Sequence, residues 1–238
     1  MMRLDKYLAH AGYGTRTEVK QLIKKGLVSV NGEIILKEDK KIDEALDEIL
    51  LEGSLTNYRQ YVYLMLHKPD GVISSNYDPY HKTTKSLLVG YEAFQTFPVG
   101  RLDIDTEGLL IVTNDGLLAH QLLSPRYHVE KTYYVEFEGD YKQIYQSLFE
   151  TGITLDDGYL CMPSKIEKLE GNKAYLTIKE GKFHQVKRMF QSLDMKVTYL
   201  KRVTFGPIKL DETLKKGSFR ELTLEEVNLL RASCNKPI

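Results

Sequence analysis

The chain has 238 residues, 33 basic against 33 acidic side chains and a hydrophobic fraction of 42%, enough for one sizeable core or two unequal domains. Zero net charge excludes a global field that would attract a polyanion, and two cysteines, Cys161 and Cys234, far apart and outside any metal-ligand spacing, argue against a disulfide framework and imply no zinc site. No apolar run approaches the length of a membrane span and none follows Met1-Met2-Arg3-Leu4, so the expected location is the cytoplasm, with no membrane partner.

Charge is nevertheless segregated along the chain. Residues 1–25 carry six basic and two acidic side chains, residues 33–52 carry three and eight, and residues 179–202 carry seven and two. Two basic patches are therefore hidden in a neutral total.

In chain order, Leu4, Leu8 and Ala11 predict a helix that stops at Gly12. A second helix begins at the capping box Thr15-Arg16-Thr17-Glu18 and ends at Gly26, with Val19, Leu22 and Ile23 on its apolar face and Arg16, Lys20 and Lys24 in a basic stripe. By spacing alone that stripe is a solvated helix face. Leu27–Val30 and Glu33–Ile35 around Asn31-Gly32 predict a hairpin. The polar stretch Glu52–Arg59, with Gly53-Ser54 inside it, is expected to be a linker, giving domains 1–58 and 59–238. Tyr61–His67 alternates as a strand and runs into the turn Lys68-Pro69-Asp70-Gly71; Ser75–Thr84, with Tyr77, Asp78 and His81, is turn-rich and receives no element.

Gly100–Gly116 divides into a charged loop, an apolar strand over Leu109–Thr113 and an Asn-Asp-Gly turn. Asp103 beside Arg101, in a glycine-bounded loop that leads into a buried strand, has the setting of a reactive carboxylate on a rigid support. The same spacing also suits a surface ion pair. A calcium loop is disfavoured because its twelfth position is Asn114 instead of a bidentate Glu. A metal-dependent phosphatase would place its strand before the paired aspartates, and the Asp103/Asp105 pair is only a weak sign of a glycosidase.

Leu117–Leu123 predicts a short helix whose His120 is a surface or packing residue. Lys131–Phe137 is a strand that puts Tyr133 and Tyr134 on opposite faces. A helix over Tyr141–Glu150, short strands about Asp156-Asp157-Gly158, and a hairpin about Glu170-Gly171-Asn172 complete an α+β pattern with a mixed, largely antiparallel sheet. Val186, Met189, Phe190 and Leu193 then form the core face of a further helix. Lys187 and Arg188 lie off that face near the N-terminal end, where positive charge opposes the helix dipole. They fit either a carboxylate or phosphate partner or a simple exposed basic helix start.

Gly100-Arg101-Leu102-Asp103-x-x-Thr106-x-Gly108-Leu109-Leu110, Thr113-Asn114-Asp115-Gly116, Lys131-x-Tyr133-x-Val135 and Glu180-Gly181-Lys182-x-His184-Gln185-Val186-Lys187-Arg188-Met189 together resemble the RsuA-type pseudouridine synthases. The N-terminal segment, through Arg3-Leu4-Asp5-Lys6-Tyr7-Leu8, Ala11-Gly12, Thr15-Arg16 and Gly26-x-Val28-x-Val30-Asn31-Gly32, resembles the S4 RNA-binding domain. The resemblance implies a small S4-like module followed by a catalytic domain that isomerises uridine to pseudouridine in small-subunit ribosomal RNA, as a monomer and without a metal or organic cofactor. A large-subunit target, or a non-catalytic S4-type assembly factor, is the alternative. It further implies Asp103 as the catalytic carboxylate, Lys187 as its basic partner, Tyr133 in the active site against the flipped base, and Arg101 on the RNA backbone or in the space the base vacates. Arg3, Lys6, Arg16, Lys20 and Lys24 of the N-terminal module, with His184, Gln185 and Arg188 of the later motif, are the implied RNA-binding residues.

Overall fold

The structure, a computed structural model, describes residues 1–56, 58–92 and 94–234. The chain divides into two compact units, one made of Met1–Val62 with Leu88–Thr96, the other of Tyr63–Leu87 with Phe97 onward.

In the first unit, β1 (Met2–Arg3) leads into α1 (Leu4–His10), and α2 (Arg16–Lys24) follows. The capping box forms: Thr15 Oγ1 accepts from Glu18 N and Glu18 Oε2 accepts from Thr15 N, satisfying two of the amides a helix start leaves unpaired. Next come β2 (Val28–Val30), β3 (Glu33–Ile34), β4 (Lys41–Ile42), β5 (Ile49–Leu51) and β6 (Ser54–Leu55). Asn31 and Gly32 both adopt positive φ in the β2–β3 turn, as a two-residue hairpin requires. Leu4, Leu8, Val19, Ile23 and Val28 form the core of this unit.

The expected linker is different. Glu52 and Gly53, at φ 50° and 77°, turn β5 back onto β6. Thr56 beyond it is buried and hydrogen-bonds to Ile49 and to the Tyr7 hydroxyl, and Tyr58 stacks on Tyr7 at 5.1 Å between ring centroids. Residue 57 of the predicted linker lies outside the described residues. The stretch reads as polar in sequence because it is a two-residue hairpin turn, and its flanking residues seal the small core. The first unit consequently extends past the expected boundary at 58 and draws in Leu88–Thr96, whose Phe94 packs at Gly12.

The second unit is built on β7 (Tyr63–Lys68), β8 (Phe97–Pro98), β9 (Glu107–Thr113), β10 (Lys131–Glu138), β11 (Lys165–Lys168), β12 (Lys173–Ile178), β13 (Lys196–Phe205), β14 (Ile208–Lys209) and β15 (Phe219–Glu221). The main path runs β11-β12-β10-β13-β9-β7-β15, with β14 on β13 and β8 on β9. Each pairing of these strands is antiparallel except β13 with β9, so the sheet is mixed and largely antiparallel.

Helices α3 (Gly116–Leu123) and α6 (Leu224–Ser233) bury Leu118, Leu122, Val227 and Leu230 against Met65, Leu109, Ile111 and Phe205 of the sheet. Asp115 caps α3 by accepting from Leu118 N, so the Asn-Asp-Gly turn doubles as a helix start. Across the other half of the sheet, Phe149 of α4 (Ile144–Thr151) and Phe137 of β10 each meet Phe190 of α5 (Gln185–Gln191).

The parallel β9–β13 pairing depends on one glycine. Gly108, at φ 105°, faces the backbone of Arg202, and a Cβ built there would lie 2.7 Å from Arg202 N and closer still to its carbonyl oxygen. A methyl group in that space forces β9 and β13 apart in a backbone conformation that L-residues avoid. Gly108→Ala is therefore expected to cost at least about 3 kcal/mol, read as a lowered thermal midpoint or loss of soluble protein. A midpoint within two degrees of wild type, allowing about 2–4 °C per kcal/mol, contradicts this.

Candidate active site

Asp103 sits in the loop between β8 and β9, which backbone geometry and two side chains hold in place. Gly100, at φ 76°, opens the loop. Inside it Thr106 N donates to Asp103 O, and Ser74 Oγ both accepts from Leu102 N and donates to Leu102 O at 2.9 Å. The stronger tie is Lys68, at the end of β7 and fully buried. Its ammonium donates to the carbonyls of Pro69, Asp103, Ile104 and Thr106 at 2.8–3.1 Å. Burial pushes this lysine down to about 8 while the carboxylates of Asp70, Asp105 and Asp103 pull the other way, so it keeps mostly its charged form at neutral pH.

On this support the Asp103 side chain is about a quarter exposed and faces the start of α5. Lys187 Nζ lies 3.3 Å from Asp103 Oδ2 and 2.5 Å from Asp105 Oδ1, so one ammonium bridges both carboxylates of the loop. Partial burial raises the Asp105 carboxyl, and the Lys187 hydrogen bond and charge outweigh that and hold it below its ordinary value. His184 Nε2 stands 3.7 Å from Asp103 Oδ1. Its backbone is left-handed at φ 48° and its ring stacks on Phe183 at 3.8 Å.

Tyr133 projects from the buried face of β10 and lines a small cavity together with Arg101, Asp103, Lys182, His184 and Gln185. The cavity opens outward into a cleft whose walls carry Ser75 and Asp78 on one side and Phe183 on the other. The unassigned Ser75–Thr84 stretch forms one of those walls. Asp78 orders it by accepting from Tyr80 N, His81 N and the His81 ring, while Tyr77 and Tyr80 stay largely exposed.

Three motifs distant in sequence thus meet at one carboxylate, with an ammonium and an imidazole beside it, a tyrosine in its cavity and an open cleft leading to solvent. Over residues 62–192 the chain matches the RNA pseudouridylate synthase family, and over residues 2–47 the S4 domain. The chain belongs to the RsuA-type pseudouridine synthases. This synthase is 45% identical to an uncharacterized RNA pseudouridine synthase of Bacillus subtilis, over 96% of its own length and 98% of the relative's. It is 42% identical to the ribosomal small subunit pseudouridine synthase A of Vibrio cholerae, over 95% and 98%. It is 38% identical to the ribosomal large subunit pseudouridine synthase B of B. subtilis, over 98% and 96%. A crystal structure of a pseudouridylate synthase, 37% identical, superposes with a TM-score of 0.69 over 97% of this chain and all of the other.

The other implied site residues of the synthase divide. Arg101 is exposed at the cleft and has no hydrogen-bond or ion-pair partner among the described residues. Lys6, Arg16 and Lys24 are exposed and Lys20 is half-buried, consistent with a basic face on the first unit. Arg3 is committed to Asp5 through two hydrogen bonds at 2.9 and 2.8 Å. Gln185 is buried: it donates to Glu180 Oε1 and accepts from Lys182 N, and so shapes the turn into α5 rather than facing RNA. Arg188 turns away from the cleft to Asp156 and Asp157. Successive positions on a helix diverge by about 100°, so Lys187 and Arg188 cannot serve the same carboxylate, and Arg188 instead ties α5 to the Asp-Asp-Gly turn.

Lys68 and Ser74 were not singled out by sequence reading. The available signal was alternation, which places Lys68 on the same face of β7 as Leu64 and Leu66, an inward position where a lysine needs buried acceptors. Lys68→Met retains the stem and strands four carbonyls. It is expected to destabilise the fold by about 2–4 kcal/mol and to increase proteolysis within 100–107, checked by thermal unfolding and limited proteolysis. Wild-type stability would show that the ammonium is dispensable to the loop.

Proposed function

We propose that this synthase isomerises a uridine of ribosomal RNA, with the small subunit as its target, and that Asp103 is the essential carboxylate. The observation that carries the assignment is the placement of Asp103 on a rigid loop, 3.3 Å from Lys187 Nζ and in one cavity with Tyr133. The reaction breaks the N1–C1′ bond, turns the uracil, and joins C5 to C1′; the proton lost from C5 is matched by one gained at N1, so nothing is oxidised or transferred to a second molecule. It requires a base brought out of its stack and an anionic group near C1′ and C6. Asp103 supplies that charge, Lys187 pairs with it and aims it, and Tyr133 stacks on the base. The small-subunit target is supported by the Vibrio cholerae relative; the large-subunit relative in Bacillus subtilis is 38% identical, so both RNAs belong in the test.

Asp103→Asn is expected to abolish tritium release from C5-tritiated small-subunit rRNA while folding and RNA binding persist, because the amide has the carboxylate's shape without its charge. Asp105→Asn, which removes the charge at the shorter Lys187 contact, is expected to retain turnover. The reverse pattern would move the chemistry to Asp105, and release from large-subunit rRNA alone would overturn the target. Lys187→Met is expected to lower kcat by roughly 10²-fold or more; turnover within about twofold of wild type would remove Lys187 from the mechanism.

The S4-like unit is proposed to dock on RNA through Arg16, Lys20 and Lys24. Replacing all three with Ala should reduce the log–log salt slope of rRNA binding by roughly 0.7–0.9 per lost phosphate contact. An unchanged slope would identify the stripe as a solvated helix face.

A further inference from the structure

Behind Tyr133 lies a second cavity, of ≈ 370 Å³, which shares Arg101, Tyr133, Gly181 and Lys182 with the Asp103 cavity. Its inner wall carries two cations that the proposed chemistry does not use, Lys131 from β10 and Arg202 from β13, exposed by only 8% and 2%. Both contact the ring of Phe205, at 5.5 and 5.1 Å from its centroid. Their hydrogen bonding is far from complete. Among the described residues, Lys131 Nζ donates to Val129 O alone, and Arg202 donates through Nε to Leu109 O while its buried Nη2 has no partner.

Among the described residues no carboxylate answers these charges directly. The acid in the cavity wall is Glu180, whose two oxygens already take the Tyr159 hydroxyl, Met162 N and Gln185 Nε2. Burial pushes the Lys131 ammonium down to about 8, with Arg202 adding to the shift and Glu180 opposing it. At neutral pH two like charges therefore share a cavity with most of their donors idle, a costly arrangement unless an anion enters. A guanidinium and an ammonium together suit a tetrahedral oxyanion.

We propose that the Lys131–Arg202 cavity is an oxyanion subsite that receives a backbone phosphate of the RNA next to the uridine held at Asp103. The inference rests on the RNA reading of the Asp103 cavity, because the shared Tyr133 wall sets the two ligand positions side by side. Seating that phosphate anchors the strand on which the base turns, so the subsite acts on substrate affinity while Asp103 acts on the chemical step.

Two independent measurements test this on the full chain. Inorganic phosphate should raise the thermal midpoint of the wild type above that in sodium chloride of equal ionic strength. The increment should vanish in Lys131→Met and survive in Lys131→Arg. With tritiated small-subunit rRNA, Lys131→Met should raise KM by about tenfold or more with kcat within twofold, Lys131→Arg should restore KM, and inorganic phosphate should raise KM for the wild type but not for Lys131→Met. No phosphate-specific stabilisation of the wild type, or equal stabilisation of Lys131→Met, overturns the subsite even if Lys131→Met itself folds poorly. Phosphate stabilisation without any change in rRNA KM overturns the RNA phosphate as occupant and leaves a site for free phosphate. Absence of tritium release from wild type on either ribosomal RNA would defeat the proposed substrate instead, and the phosphate measurement would still decide the cavity.

Discussion

One buried ammonium organises the catalytic unit. Lys68 ends the strand that pairs with β9 and donates to the carbonyls of Asp103, Ile104 and Thr106 as well as to Pro69. A loop with three inward carbonyls has no strand ladder to satisfy them, and leaving them unpaired would be costly. The lysine supplies the donors and fixes the path of the loop. The direction in which the Asp103 carboxylate leaves the backbone follows from that path, so the geometry of the site depends on a residue that does not touch the cavity.

The β9–β13 junction makes this support possible. At Gly108 and Arg202 the two strands approach more closely than a side chain permits, which brings β10 and β13, carrying Tyr133, Lys131 and Arg202, beside the Asp103 loop. Tyr133 and Arg202 are paired across those strands. The helix that carries Lys187 is positioned from its other side, by Val186, Met189 and Phe190 in the core and by Arg188 on Asp156 and Asp157. The two cations of the late motif therefore act separately, since Lys187 faces the loop carboxylates and Arg188 holds the helix that presents it.

The two units differ in what they expose. In the first, the lysines and arginine of α2 remain mostly at the surface, where they can meet phosphates without prior desolvation. The second unit buries its distinctive cations. Lys68 is satisfied by carbonyls and is structural, whereas Lys131 and Arg202 have donors to spare beside the Asp103 cavity. Burial alone does not separate these cases; the count of acceptors around each cation does.

Local chemistry made much of the protein legible from residues alone. The capping box at Thr15 and Glu18, the Asn31-Gly32 hairpin, the opposed faces of Tyr133 and Tyr134 and the core stripe of α5 each follow from interactions spanning a few positions. The motif order made the family recognisable before any fold was known. Partners distant in the chain were not legible. Whether Lys187 or Arg188 met the aspartate, and whether Glu52–Arg59 was a linker, depended on Asp105, Asp156 and Tyr7, brought near by the fold, while Arg3 and Gln185 were taken by Asp5 and Glu180 a few positions away. Periodicity shows which face of an element is apolar, but the same polar pattern describes a solvated residue and one whose acceptor arrives from elsewhere in the chain. Only the tertiary structure decided between them, because an ion pair or buried hydrogen bond is fixed by a distance of about 3 Å that sequence separation does not encode.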